Sequence, residues 1–252
     1  MTLLEKFPDP FKPRQIQKDI LDEIEVHLQS GYKKIVICAP TGVGKSLVGA
    51  TVSNYFDSSF TVTASKHLQD QYIKDIPFLK PVKGKQNFPC LKLMDAEKVG
   101  DDRESMRWGL TCDKGQCQER INKNGKEVVQ VCKFKPTIKQ VEDKTQDSLS
   151  CHYYLQKYDA LVSNHSLWNY HAFFTIMKYN KKLFADYLDR KVTVFDEAHK
   201  IEDQIIQFVG FDIFAGQVDE CNLSTDRYNF TDLDSMIQLT DDIAFSYAKK
   251  IK

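Results

Sequence analysis

Lys34-Ile35-Val36-Ile37-Cys38-Ala39-Pro40-Thr41-Gly42-Val43-Gly44-Lys45-Ser46 is the stretch whose reading decides the fold. A short apolar run of strand character enters a glycine turn, and a helical pattern from Ser46 to Phe56 leaves it. Strand, glycine loop, helix is the context that makes such a match a phosphate-binding loop. Gly42 and Gly44 let the backbone turn its N–H groups, with those of Thr41 and Val43, onto phosphate oxygens. Lys45 is placed to reach the β- and γ-phosphates, and the Ser46 hydroxyl to ligate magnesium. The helix N-terminus adds a favourable partial charge. The expected ligands are ATP and Mg2+. Ala39 stands where such loops more often begin with glycine.

A second anchor lies far downstream. Val192-Thr193-Val194-Phe195 reads as an apolar strand, and Asp196-Glu197-Ala198-His199 follows it directly. A carboxylate just past a strand's carboxyl end sits near the phosphate loop in open α/β sheets. Asp196 is the expected magnesium partner and Glu197 the base that orients an attacking water. His199 is expected to couple this site to the rest of the molecule. Phe60-Thr61-Val62-Thr63 and Ala160-Leu161-Val162-Ser163 read as two further strands. Upstream, Pro13 to Leu28 reads as a helix with Ile16, Ile20, Ile24 and Leu28 on one face and Gly31 as its stop. Within Pro13-Arg14-Gln15-Ile16-Gln17, Gln17 suits paired hydrogen bonds to an adenine edge and Phe11 a stack on its ring. The competing reading of Gln17 is an exposed residue at a helix start.

The 252 residues suffice for one sizeable core and a small satellite. Hydrophobic residues make up 42% and charged residues 28%, as in ordinary soluble proteins. Net charge is zero, so any surface for a polyanion is local. Residues 80–147 hold 15 Lys/Arg against 11 Asp/Glu, whereas 201–247 hold ten acidic residues and one basic, Arg227. The acidic end is therefore expected to face away from a polyanion, or to be a plain solvated surface. The first residues are too short and polar an apolar run for a signal peptide, and no run approaches the roughly 18 residues that span a bilayer. The expected setting is the reducing cytoplasm, where clustered cysteines bind metal more often than they pair.

Those cysteines are Cys90, Cys112, Cys117, Cys132 and Cys151. Four thiolates suit zinc or an iron–sulfur cluster, and spacing does not separate the two. Cys38 reads as a small buried residue inside its strand, and Cys221 as incidental. The stretch from about Val82 to Ser150 lacks clear periodicity and reads as an inserted subdomain held by a metal centre rather than a large apolar core.

Taken in order, these pieces resemble the N-terminal half of the iron–sulfur helicases of superfamily 2, the XPD and DinG group. The resemblance runs over residues 10–200. It rests on the Gln17 segment, the loop Ala39–Ser46, Thr63-Ala64-Ser65-Lys66-His67-Leu68-Gln69-Asp70-Gln71, Lys83-Gly84-Lys85-Gln86-Asn87-Phe88-Pro89-Cys90, Cys151-His152-Tyr153-Tyr154, Val162-Ser163-Asn164-His165 and the Asp196–His199 box. It implies a 4Fe–4S cluster on Cys90, Cys112, Cys117 and Cys151, with Cys132 as the alternative to Cys112. Histidine at 152 replaces the more usual proline. The implied fold is α/β, a RecA-like lobe with a parallel sheet. Residues 1–81 and 153–201 form the lobe, 82–152 the cluster subdomain, and 202–252 the beginning of a helical arch.

The implied activity is ATP-driven translocation on single-stranded DNA and opening of a DNA fork. Thr63 and Ser65 would hold the phosphodiester backbone, with charge from Lys83 and Lys85. Tyr153, Tyr154, Trp168, Tyr170 and Phe173 are expected either to stack on bases or, for most, to be core. Two other readings are a non-catalytic single-strand-binding module and a zinc-bearing phosphate-loop ATPase. No second RecA-like lobe and no paired-arginine motif follow Asp196; the only later arginine is Arg227. The chain by itself is therefore expected to turn ATP over slowly, because an arginine from such a lobe is worth about 10³–10⁵ in rate. A steady-state phosphate-release assay checks this; fast DNA-stimulated turnover by the purified chain would refute it.

Overall fold

Ser59-Phe60-Thr61-Val62-Thr63 is buried at every position, and the sheet is built around it. The computed structural model describes residues 2–123, 126–210, 213 and 215–250. In chain order come helices α1 (Gln15–Gln29) and α2 (Lys45–Tyr55), strand β1 (Ser59–Thr63), α3 (Lys66–Asp75) and β2 (Lys80–Val82). Next are α4 (Leu91–Glu97), α5 (Asp102–Arg107), the strands β3 (Gln118–Lys123) and β4 (Lys126–Val131), and α6 (Ile138–Glu142). Then follow α7 (His152–Val162), β5 (His165–Asn169), α8 (Tyr170–Tyr179), α9 (Ala185–Leu188) and β6 (Val192–Phe195). Last are α10 (Ile201–Val209), α11 (Ala215–Glu220) and α12 (Leu233–Lys250). The chain divides into two units, Met1–Gln204 and Ile205–Lys252.

The first unit carries a four-stranded parallel sheet in the order β2-β5-β1-β6. Parallel strands need crossover helices, and these cover both faces. On one face Phe60, Val62 and Trp168 pack against Tyr158 and Leu161 of α7 and Phe173 and Ile176 of α8. On the other, Leu167 packs against Ala50 of α2, Tyr72 of α3 and Ile76 just past its end. The alternation along β5 explains the split: Leu167 points one way, while Ser166 and Trp168 share the opposite face, where the indole donates to the Ser166 hydroxyl at 2.8 Å. α1 lies outside α2 through Leu21, Ile24 and Val48. This is the α/β, RecA-like class expected from sequence. In the second unit Tyr228 donates to Asp242 at 2.8 Å and Tyr247 to Glu220 at 2.9 Å, around buried Val218, Cys221 and Leu239.

Three local expectations change. Residues 34–38 are not a strand. They form no regular element, Val36 is 89% exposed and Cys38 is exposed, not a core thiol. An apolar run becomes a strand only where an edge pairs with it. Among the described residues β6 pairs with β1 alone, and nothing pairs with 34–38. Residues 160–162 are the last turn of α7 rather than a strand, since Tyr154, Tyr158 and Leu161 recur at helical spacing toward the core. The strand begins beyond them, at His165. The buried stripe of α1 is Gln17, Leu21 and Ile24, whereas Ile16 is 46% exposed. The helix is thus turned so that a polar residue faces inward. Phe60→Ala should cost about 3–5 kcal/mol in denaturant unfolding. Val36→Ser should stay within about 0.5 kcal/mol; a cost several times larger would place residue 36 in a sheet.

Candidate functional site

The loop after Cys38 curls around its own lysine. Lys45 Nζ donates to the carbonyls of Ala39 at 2.9 Å and Pro40 at 3.2 Å. Gly42 and Gly44 hold φ of +82° and +85°, which L side chains rarely adopt. Gly44 has a second reason: a Cβ there would meet Gln17 Nε2 at 2.5 Å and Arg14 Nη2 at 3.0 Å. Arg14 Nη2 donates to the carbonyls of Gly42 at 2.8 Å and Val43 at 2.7 Å. Gln17 is buried; its carbonyl accepts from the Arg14 backbone at 2.8 Å, and its amide reaches the Gly44 carbonyl at 3.4 Å. The competing reading of an exposed glutamine is thereby removed. With the loop's carbonyls turned to Arg14, its N–H groups are left for an anion. Among the described residues those of Gly42, Gly44, Lys45 and Ser46 donate to no backbone carbonyl.

Asp196 continues the β6 ladder, its N–H donating to Val62 O at 2.8 Å. One carboxylate oxygen accepts from Ser46 Oγ at 3.1 Å and from the Tyr72 hydroxyl at 2.9 Å; the other accepts from Glu197 N at 3.0 Å. Burial, then the Asp196 charge, pushes the Tyr72 phenol well above its usual value, so it stays a donor. The Tyr170 hydroxyl donates to the Asp196 carbonyl at 3.1 Å. Glu197 sits at φ +55°, a conformation that costs a non-glycine residue on the order of 1–3 kcal/mol. Its carboxylate lies 3.4 Å from His199 Nε2. The Ser46 hydroxyl and the Asp196 carboxylate thus meet at the end of the loop, with Glu197 next to Asp196 in the chain.

The same end of the sheet opens into a polar groove. Lys66, Gln69, Lys83, Gln86, Asn87 and Asn169 are among its walls, at the carboxyl ends of β1, β2 and β5. Open α/β sheets bind ligands at this end. Ser65 caps α3, accepting from Leu68 N at 3.2 Å, and Lys83 pairs with Asp70 at 2.7 Å. Thr63 Oγ1 is buried and, among the described residues, has no partner.

The family described as Type III restriction enzyme, res subunit, matches residues 10–222. The chain belongs to that family. A search of curated proteins gives no match. The res-subunit match covers the loop, the acidic box and the groove alike, and identifies the chain as a superfamily 2 helicase-type ATPase lobe. No described helix is long and apolar enough to cross a membrane.

Set within the matched residues is a cysteine cavity. Cys90, Cys112, Cys117, Cys132 and Cys151 all line it. Backbone bonds knit the segments together: Cys90 N to Leu110 O at 2.8 Å, Cys112 N to Phe88 O at 3.0 Å, Cys132 N to Cys117 O at 3.0 Å, and Cys151 N to Phe134 O at 2.7 Å. A Lys92–Glu119 ion pair joins α4 to β3. Gly115 abuts the Cys90 thiol so closely that a Cβ there would collide with it. Cys90, Cys112 and Cys151 are buried; Cys117 and Cys132 are half-buried. Cys112 and Cys151 Sγ lie 3.7 Å apart. The Cys112 thiol donates into Cys151, and the backbone of Tyr154 and Tyr153 at the start of α7 assists, so Cys151 is the member drawn toward thiolate. Among the described residues no three His, Cys, Asp or Glu side chains converge as a ready metal site.

Of the residues singled out from sequence, the structure joins Ser46 to Asp196 and His199 to Glu197, turns Lys45 onto its own loop's carbonyls and sets Gln17 behind the loop. Trp168, Tyr170 and Phe173 are core, whereas Tyr153 and Tyr154 pack beside the cysteines. Arg14 and Tyr72 were missed. Arg14 lies in a segment the sequence had already marked; Tyr72 carries no local signal. Gly44→Ala should weaken binding of a fluorescent ATP analogue at least tenfold more than Gly42→Ala. Both sites need positive φ, but a Cβ at 42 meets nothing within 4 Å. Equal losses would mean that the Gln17–Arg14 clamp does not shape the loop.

Proposed function

We propose that this chain is the first motor lobe of an ATP-dependent DNA helicase with a thiolate-held iron–sulfur subdomain. The observation that carries the motor reading is the Ser46–Asp196 contact at 3.1 Å, which closes a magnesium–ATP site at one end of the sheet edge that bears the groove. Lys45 and the loop amides of Thr41 to Ser46 hold the phosphates. Ser46 and Asp196 hold the magnesium ion. Glu197 orients water, and His199 links Glu197 to the rest of the motor. Gln17 exchanges its long contact to Gly44 for the adenine edge. Arg14 is committed to the loop's carbonyls, so the cation at the γ-phosphate comes from a second RecA-like lobe.

The groove takes single-stranded DNA by its backbone, with Lys66 and Lys83 on its walls; Thr63, expected from sequence to hold that backbone, is fully buried and does not line it. The subdomain is residues 82–152 within a lobe made of 1–81 and 153–201, and 202–252 begin an arch. The cluster reading is supported by five soft donors on one cavity and by the glycine that lets backbone reach Cys90. Cys90, Cys112, Cys117 and Cys151 are the proposed ligands. The cluster's chemistry here is structural: it replaces an apolar core with metal–thiolate bonds. One observation favours zinc instead. Two thiolates on one tetrahedral zinc stand about 3.8 Å apart, from bonds of about 2.3 Å, and Cys112 and Cys151 stand at 3.7 Å.

Metal content and the visible spectrum of protein purified without oxygen separate the two. Iron and sulfide with broad brown absorption, lost in Cys90→Ser and Cys151→Ser, are expected; colourless zinc would refute the cluster and leave the motor intact. Lys45→Ala should abolish ATP-analogue binding with metal content unchanged. Retained nucleotide binding would refute the motor reading.

A further inference from the structure

A buried phenol ends on the carboxylate beside the phosphate loop. Tyr72 of α3 is 2% exposed, its ring in an apolar layer with Ala50 of α2, Ile76, Leu79 and Leu167. Phenylalanine would fill that space as well. A buried hydroxyl costs stability unless it finds a partner, and this one donates to Asp196 Oδ2 at 2.9 Å. The hydroxyl therefore serves Asp196 rather than the layer.

The backbone of Asp196 is held on both sides. Its N–H donates to Val62 O at 2.8 Å, and its carbonyl accepts from the Tyr170 hydroxyl at 3.1 Å. Only its side chain is left to turn, and both carboxylate oxygens already have donors. Oδ1 accepts from Glu197 N at 3.0 Å; Oδ2 accepts from Ser46 at 3.1 Å as well as from Tyr72. The two donors on Oδ2 differ in freedom. The Ser46 hydroxyl swings about a single bond and can offer its oxygen to a cation instead. The Tyr72 ring is locked by packing, so its hydroxyl stays where it is. With Glu197 N on one oxygen and Tyr72 on the other, the plane of the carboxylate resists the rotation that would turn both oxygens onto one ion.

We propose that Tyr72 is a positioning residue that limits Asp196 to a single oxygen toward the divalent cation of the nucleotide, and so selects magnesium over calcium. Magnesium demands a near-octahedral shell, keeps several waters and takes few carboxylate oxygens, whereas calcium accepts about six to eight oxygens and readily takes both of one carboxylate. This rests on the magnesium–ATP reading above and deepens it by naming what sets the choice of ion. The donor set fits such an ion: a hydroxyl and a carboxylate oxygen, both hard ligands, already meet there.

The test is binding of a fluorescent ATP analogue to the full chain, purified without oxygen, in magnesium, in calcium and in EDTA. The wild type is compared with Tyr72→Phe, which keeps the ring and removes the hydroxyl. The wild type should bind more tightly with magnesium than with calcium. In Tyr72→Phe the ratio of the two dissociation constants should narrow about tenfold, the scale of one lost hydrogen bond to a charged group. Binding in EDTA should not change, because Lys45 and the loop amides do not depend on Tyr72. An unchanged ratio in the folded variant would overturn the proposal and leave the magnesium–ATP reading standing. An equal loss in all three conditions would overturn it too, assigning Tyr72 to packing alone. Equal affinities with the two ions in the wild type would overturn it without recourse to any variant. Wild-type binding indifferent to the presence of either ion would take down both this proposal and the magnesium–ATP reading.

Discussion

The hydrogen bond from Ser46 to Asp196 joins residues 150 positions apart, and the rest of the lobe is arranged to make it. β6 must lie beside β1 for Asp196 to donate to Val62, and α2 must lie close on β6 for Ser46 to arrive. Gly49 permits that approach, since a Cβ there would stand 3.1 Å from Val194. Tyr72, fixed in the apolar layer under the sheet, fills the remaining side of the same carboxylate oxygen. A hydroxyl and a phenol thus converge on a group whose ordinary partner is a divalent cation. The geometry needed for magnesium is held by protein donors, and the ion need only displace one of them.

The cysteine region obeys a different logic. β3 and β4 pair only with each other, and the short helices α4, α5 and α6 bury few large side chains. Four backbone bonds and a close glycine bring the thiols around one cavity before any metal is considered. A small loop-rich segment of this kind gains stability from cross-links that an apolar core of its size does not provide. Its attachment is firm: Tyr153 and Tyr154 belong both to the cavity's surroundings and to the helix that covers the sheet.

Much of this was legible in the sequence, for physical reasons that differ by element. The phosphate loop and the acidic box are short and local, and their chemistry dictates residue type at each position. β1 was readable because it is a buried run bounded by polar residues, and β6 because it is a short apolar run that ends at the acidic box. The apolar run 34–38 was misread because strand identity is a property of a pair, and its composition says nothing of a neighbour. Residues 160–163 were misread because four apolar or small residues fit either period, and only Tyr154 and Tyr158 behind them settle the helix. Gln17 was marked for a ligand, but its inward position follows from the rotation of α1, which depends on packing against α2. Tyr72 was beyond reach, since its role arises from a register between elements far apart in the chain. That all five cysteines, rather than four, line one cavity likewise emerges only in three dimensions.

Lys45 already has two carbonyl partners, Ala39 and Pro40, in the loop it is meant to serve. The loop is therefore self-occupied, and nucleotide entry is an exchange rather than an addition. Each phosphate oxygen that takes the ammonium returns a carbonyl to water, so the net gain from this lysine is only the difference between two sets of bonds. A triphosphate has more oxygens than a lone phosphate to set against that exchange, because it also spans the loop amides and the Ser46–Asp196 pair.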